Sequence, residues 1–550
     1  MKKRPLRFIA HNVFIFNAPT DMIVTGLSLE TLAILVGSVA ALRSLQLFLD
    51  FRRLLGSIHH LPGYRTILGS TTVIGNLLPP TPWLTLGHDH SWLLKHTPFA
   101  ERGLDIISSV ACWPKAMGSL SIADVNVIKD IVWSRGGRFP KPLHRYTVLT
   151  FFGGNIVVSE GDEWKRYRKI VAPAFSERNN RLVLETTTQI MLDLFDTVWA
   201  GQDEVVVDHA VDLTLPIALF VIGAAGFGRP ISWKEDDVIP LDHQLTFKDA
   251  LHTVTQDLLI KLLVPKWAMG LTRRFRHTRL AFDELHQYLT EMIQERQGSQ
   301  LNEDKNDLFS SLLAANDDEN LSKGEVKLSD SELIGNIFIF LVAGHETTAH
   351  TLAFAFGLLA LYPDKQEELY QHIKRVLPDG RLPTYDDMPS LTYPLAVFNE
   401  TLRMFPPVAT VPKSNAEDTT FTLTDENGTM KTIAVPQGFA LTLDVPGLHY
   451  NPKYWEDPYA FKPERFLGDW NRDAFLPFSG GYRACVGRKF SETEGTAVLT
   501  ILLSRYTISI KDEPQFAGET FEQRKARVLN ARSQLTLAPT RLPLVFKRRS

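Results

Sequence analysis

Residues 478–487 read Phe478-Ser-Gly-Gly481-Tyr-Arg483-Ala-Cys485-Val-Gly487 and hold one of only two cysteines in 550 residues. Glycines on both sides of the cysteine let the backbone pass close to something flat, where a β-carbon would stand in the way. A cysteine in such a bend, with an arginine two residues before it, can be held as a thiolate and offered to a metal. The alternative is an inert, buried cysteine in a Gly-rich turn.

The other cysteine, Cys112, leaves no basis for a disulfide framework, which places the folded part in a reducing compartment. The chain is 44% hydrophobic and 22% charged with a formal net charge of -3, and it has no basic run, so no nucleic-acid partner is expected. Its N-terminus departs from this ordinary composition. Thr31 to Leu42 is apolar, and a weaker stretch from Met22 extends it. Glu30 and Arg43 limit the clean run to 12 residues, short of the roughly 20 usual for a spanning helix. Arg43, Arg52 and Arg53 follow it and would hold the downstream chain on the cytosolic side, whereas Lys2, Lys3, Arg4 and Arg7 weaken that orientation. An uncleaved anchor at about 22–42 is expected; a removed signal peptide and an interfacial helix are the alternatives. Three prolines between Pro79 and Pro82 preclude regular helix and suggest a semi-rigid link.

Three further constellations precede the cysteine. Residues 331–361 predict a long helix that Ser329 or Ser331 is placed to cap and Tyr362-Pro363 ends. Its middle carries Ala343, Gly344, His345, Glu346, Thr347, Thr348 and His350, polar groups that an apolar helix has no structural need for. Thr347 can bond back to a carbonyl and loosen the turn. Glu400 and Arg403, three apart before Met404-Phe-Pro-Pro407, can pair on one helix face. Trp164 and Arg168, four apart, share a face of another helix. Each has a bland reading as a solvated or core helix.

Taken in order over roughly residues 160–495, the four motifs resemble the cytochrome P450 family, whose haem-ligand loop is Phe-x-x-Gly-x-Arg-x-Cys-x-Gly. The resemblance implies one large, mainly α domain with a small β part, the cytochrome P450 fold, behind an N-terminal membrane anchor. The expected division is 1–55 for the anchor region, 56–84 for a Pro-rich linker and 85–550 for the catalytic domain. It further implies haem b with Cys485 as the axial thiolate ligand and Phe478 beside it. Trp164, Arg168 and Arg483 are the implied propionate partners. Lys413 stands where many relatives carry an arginine, keeping the charge but not the bidentate fork. Thr347 and Glu346 become the oxygen-side threonine and its proton-relaying acid. Glu400, Arg403 and the Arg465 of Pro463-Glu-Arg465-Phe466 become a structural ion network.

The implied activity is a haem-thiolate monooxygenase that puts one atom of dioxygen into an apolar substrate. Electrons are expected from NADPH through a separate P450 reductase, with cytochrome b5 as a further candidate, because no dinucleotide fingerprint or flavin-type domain is present. A basic face at Lys165, Arg166 and Lys169 is either a docking site for an acidic partner or a merely solvated face. The implied pocket residues, Phe151, Phe152, Phe338, Ala343, Val408 and Ala409, are apolar and favour a bulky neutral lipophile, with a terpenoid or similar secondary metabolite ahead of lipids, sterols and xenobiotics. The insert at 418–428 and the tail at 519–544 are more like eukaryotic microsomal and fungal members, which points to the endoplasmic reticulum. A reductase-independent haem-thiolate isomerase and a non-catalytic haem protein are the rivals; neither has a use for Glu346 and Thr347.

Overall fold

The computed structural model describes residues 28–69, 72–135, 137–228, 233, 239–298, 307–317, 327–424 and 428–549. Residues 22–27 of the expected anchor and the four basic residues at 2–7 therefore lie outside the described residues. The first helix, Leu29–Ser57, begins at a Ser28 cap and runs through Arg43 without a break. Its 29 residues would extend roughly 43 Å at 1.5 Å per residue, against a bilayer core of about 30 Å. Its most apolar 18 residues have a mean hydropathy of 1.9, and none of that surface is covered by the body. That makes the helix compatible with a membrane anchor, longer than the clean run in the sequence because single arginines do not interrupt a helix. Arg43 Nη2 donates to the Pro114 carbonyl at 3.1 Å, and the last turns meet the core of the body, where Leu55 and the following Ile58 are buried.

The stretch expected to be a linker is partly structural. Gly63–Leu68 is a strand that pairs in parallel with Ile106–Trp113, so the chain is part of the body from residue 63 onward. The five-stranded sheet continues through Met117–Ile122, Ala440–Asp444 and Thr410–Ser414. A three-stranded sheet joins Glu204–Val207, Leu544–Arg548 and Tyr506–Ile510, and two hairpins complete the β part. Everything else of size is helical, as the sequence patterns predict.

The long helix Asp330–Leu361 organises the interior. Ser329 caps it: its hydroxyl accepts from the Glu332 amide while the Glu332 carboxylate accepts from the Ser329 amide. The capping box satisfies two amides that a helix start otherwise leaves unpaired. Residues 333–342 pack into one hydrophobic core with the helices Phe247–Gln256 and Arg273–Gly298, and residues 352–361 into another with Thr392–Met404 and Arg488–Arg505. Residues 343–351 cross between the two cores. The polar residues fall in that gap, where apolar packing is interrupted.

Candidate active site

A cavity of about 310 Å³ lies at this junction, with Ala343, Gly344 and Thr347 on one wall and Phe478, Arg483 and Cys485 on another. The Cys485 amide donates to the Phe478 carbonyl at 2.9 Å, which closes the loop beneath the cavity. The accessible face of Cys485 belongs to the cavity wall; protein encloses the thiol on its other sides, and that burial pushes its pKa up. The Gly487 amide and the guanidiniums of Arg168 and Arg488 act in the opposite direction, favouring the thiolate. Gly481 is required for a reason the sequence does not show. Its φ is +61°, and a Cβ there would sit 2.0 Å from the Val132 carbonyl oxygen of the helix Val125–Trp133. The glycine thus lets the loop dock on a neighbouring helix, while Gly487 lines the cavity itself.

Trp164 and Arg168 project from Gly161–Val171 toward the loop. The Arg483 guanidinium stacks 4.0 Å over the Trp164 ring. Arg168 Nη1 donates to the Ala484 carbonyl at 3.0 Å, so it holds the loop backbone. Arg483 donates to the Ser159 carbonyl at 3.0 Å and to Glu160 Oε2 at 2.5 Å. Lys413 is buried on Thr410–Ser414, and burial lowers its pKa. Lys141, which the sequence motifs do not mark, joins them: its Nζ donates to the Val157 carbonyl at 2.7 Å. Burial, then Arg483 and Lys413, push it down to about 7. Arg483, Lys413 and Lys141 share the single carboxylate of Glu160. Such a cluster of enclosed cations calls for added negative charge, and the two propionates of a haem supply it. With a thiol on an apolar cavity nearby, these residues fit that group.

Across the cavity, Thr347 Oγ1 donates to the Ala343 carbonyl at 2.7 Å, the back-bond expected of a threonine inside a helix. Glu346 departs from expectation. Its carboxyl turns away from the cavity to Thr536, 3.5 Å from Oγ1, and to Thr255. Burial pushes it up to about 7. The acid is adjacent to Thr347 along the chain yet faces another side of the helix, because consecutive helical residues diverge by about 100°.

Glu400 and Arg403 are fully buried and paired through two bonds, Nε to Oε2 at 2.7 Å and Nη2 to Oε1 at 2.8 Å. Arg465 Nε joins Glu400 at 3.1 Å, and Arg403 Nη1 donates to the carbonyls of His449 and Pro458, both at 2.9 Å. The expected triad is therefore assembled in space. The expected pocket is only partly so. Ala343 and Val408 line the cavity. Phe151, Phe152, Phe338 and Ala409 do not: Phe152 stacks on Phe338 at 4.3 Å and on Phe282 at 5.6 Å, Phe151 meets Phe282 edge-on, and the Ala409 carbonyl accepts from the Val445 amide. Stacking among the three aromatics fills a core rather than a pocket. Phe340 and Val411, which belong to the apolar stretches 338–343 and 408–411 that the sequence offers for the pocket, do line the wall, and so does Ile222, which nothing in the sequence distinguishes. The basic face is also less bare than it reads, since Lys165 pairs with Asp162 and Arg166 with Glu332.

Comparison with known proteins decides the family. The cytochrome P450 family model matches residues 109–531. The chain belongs to the cytochrome P450 family. It is 55% identical over 526 residues to a cytochrome P450 monooxygenase 124 of Postia placenta, an alignment covering 95% of this chain and 100% of the relative. It is 29% identical to a cyclooctat-9-en-7-ol 5-monooxygenase of Streptomyces melanosporofaciens, over 72% of this chain and 80% of that one. A solved cytochrome P450DA heme domain superposes with a TM-score of 0.67 at 22% identity, covering 84% of this chain and 94% of that chain, which shows the fold. The chain is thus a P450 monooxygenase, fungal-like by its relative in Postia placenta.

Proposed function

We propose that the chain is a membrane-anchored haem-thiolate monooxygenase acting on a bulky, neutral lipophile of the terpenoid or related secondary-metabolite class. The observation that carries this reading is that Cys485 and Thr347 open on opposite walls of one apolar cavity. Cys485 would hold the iron of haem b, with Phe478 beside it. Arg483, Lys413 and Lys141 would hold the propionates, with Trp164 stacked on Arg483 and Arg168 fixing the loop. Bound haem supplies oxygen activation, which a thiolate ligand favours by pushing electron density toward O–O cleavage. Thr347 presents its hydroxyl to the cavity, and Glu346, held near 7, can store a proton at working pH. Ala343, Phe340, Ile222, Val408 and Val411 exclude water and orient the substrate. Among the described residues Arg483 is the one charged side chain on the wall, so nothing is left to anchor a carboxylate. The Streptomyces relative is named a cyclooctat-9-en-7-ol 5-monooxygenase, and an uncharged alcohol substrate of that kind agrees with a neutral lipophile.

Residues 1–55 would anchor the chain in the endoplasmic reticulum, and the body from residue 63 onward would face the cytosol. Electrons would come from NADPH through a separate P450 reductase, with cytochrome b5 as an auxiliary donor. The test is co-expression with a reductase in membranes, fed terpenoid, sterol, fatty-acid and xenobiotic panels, with products read by mass spectrometry. NADPH-dependent gain of one oxygen on terpenoids supports the class, and gain on fatty acids alone overturns it. Cys485→Ala should abolish the thiolate absorbance of the reduced carbon-monoxide complex, and a normal band in that variant would remove the ligand assignment. Thr347→Ala should retain that band while diverting NADPH into hydrogen peroxide.

A further inference from the structure

Glu346 points away from the substrate cavity, and its surroundings on that side are built rather than incidental. Thr536, in the turn between the strands Ala531–Ser533 and Leu537–Pro539, donates through Oγ1 to Glu346 Oε2 at 3.5 Å. His350, one turn along the same helix, meets Thr536 Oγ1 with Nδ1 at 2.8 Å. A hydroxyl has one proton to give. When it goes to Glu346, His350 must donate from Nδ1, so the three groups form one directed chain from His350 through Thr536 to Glu346. His350 and Thr536 are each 6% exposed, which makes an unshared polar group here costly and a hydrogen-bonded chain the way to avoid that cost. The 3.5 Å link is long, as such contacts often are before substrate tightens a site.

A second cavity of about 310 Å³ lies on the same side, between Ala210–Val221, Phe247–Gln256 and the long helix. Its wall holds Asp212, Lys248, Asp249, His252 and His345. His345, next to Glu346, donates from Nδ1 to the Leu341 carbonyl at 2.9 Å. His209, half-exposed at the start of Ala210–Val221, and His345 both act electrostatically on His350. The titratable groups around Glu346 are therefore His345 and His350 from its own helix and His252, Lys248 and Asp249 from Phe247–Gln256. His209 and Asp212 join them from Ala210–Val221, and Arg532 from the C-terminal hairpin. Its pKa is set by burial, then by the Thr255 and Thr536 hydroxyls, and not by any of these charges.

We infer that Glu346 recovers its proton from this far side of the helix: Thr536 passes its hydroxyl proton to Glu346 and takes one from His350 Nδ1, while water reprotonates His350 at Nε2, so that substrate and proton reach the site by separate routes. Thr536 and His350 are then positioning residues that act through Glu346. This rests on the proposed reading of Glu346 as the acid of the oxygen side.

The test uses the full-length, haem-loaded enzyme in membranes and four variants, each first required to keep the reduced carbon-monoxide absorbance. In resting enzyme the protonated carboxyl band lost in Glu346→Gln is titrated by infrared spectroscopy. Thr536→Val should move its midpoint above about 7, because a donor to the carboxylate is gone. Thr536→Ser should restore it. In turnover, hydrogen peroxide formed per NADPH should rise several-fold in Thr536→Val and fall back in Thr536→Ser. His350→Gln should show the same leak, and it decides the matter if Thr536→Val does not fold. A midpoint and peroxide yield in Thr536→Val or His350→Gln equal to wild type would overturn the route. Wild-type coupling in Glu346→Gln would instead overturn the assignment of Glu346 itself.

Discussion

Two helices in this molecule pass the same test of length and apolarity and have opposite surroundings. Leu29–Ser57 reaches a mean hydropathy of 1.9 over 18 residues with none of that stretch buried, whereas Asp330–Leu361 reaches 1.2 with 83% buried. The first shows no acid or histidine after Glu30 until Asp50. The second carries Asn336, His345, Glu346, Thr347, His350 and Thr351 inside the protein, each with a partner there. Asn336 donates to the Glu332 carbonyl, Thr347 and Thr351 donate to the carbonyls four residues back, and His350 meets Thr536. An apolar helix whose polar groups are satisfied inside the protein, by its own carbonyls or by other segments, is a core helix with a site. One without them, left uncovered by the body, is compatible with a membrane anchor.

The comparison breaks most visibly when the same charge is put into each helix. Leu352→Asp, at a position with no exposure, should cost about 5 kcal/mol or more and leave no folded protein by chemical denaturation. Leu35→Asp, at a position 55% exposed, should leave the unfolding of the body unchanged within about 0.5 kcal/mol and reduce only membrane partition. Loss of the body's stability in Leu35→Asp would mean that the first helix packs on protein after all.

A smaller effect, about 3–5 kcal/mol, is expected for Arg403→Ala, which leaves Glu400 as a buried charge with only Arg465 and the Lys462 amide to compensate it. The measurement is the denaturation midpoint; a shift below about 1 kcal/mol would show that water reaches the pair. Glu346→Gln probes the polar middle of the core helix through pH. The native carboxyl is raised to about 7 from an ordinary value near 4.5, so the folded state holds a proton that the unfolded chain releases. Its stabilisation is fully present below about pH 4.5 and lost as the pH rises through about 7, a span worth roughly 3 kcal/mol. Wild type should lose roughly 3 kcal/mol relative to Glu346→Gln as the pH rises from about 4.5 to about 7, read as a falling difference in melting, and a constant difference would place Glu346 in water.

Much of this was legible because the informative groupings are local. The cysteine loop, Glu400 with Arg403, and Trp164 with Arg168 are set by spacing along a turn or helix, and their order along the chain marks the family. The ends of the long helix were equally plain, since Ser329 and Tyr362-Pro363 act on the adjacent backbone. The pocket was not. Phe152 and Phe338 look like pocket residues, yet Phe152 packs on both Phe338 and Phe282, each more than 100 residues away, which draws them into the core. Lys141 and Thr536 carry no motif, because their significance depends on which distant segments fold against Arg483 and Glu346.

By itself, then, the sequence determined the family, the thiol that faces the cavity, the length of the core helix and the ion triad, all matters of short-range spacing and helical periodicity. Tertiary structure decided which side of the helix Glu346 serves, which apolar residues enclose the cavity, why Gly481 has to be glycine, and which of two apolar helices the body covers. Those depend on contacts between segments tens to hundreds of residues apart, and hydrophobicity, having no direction, does not encode them.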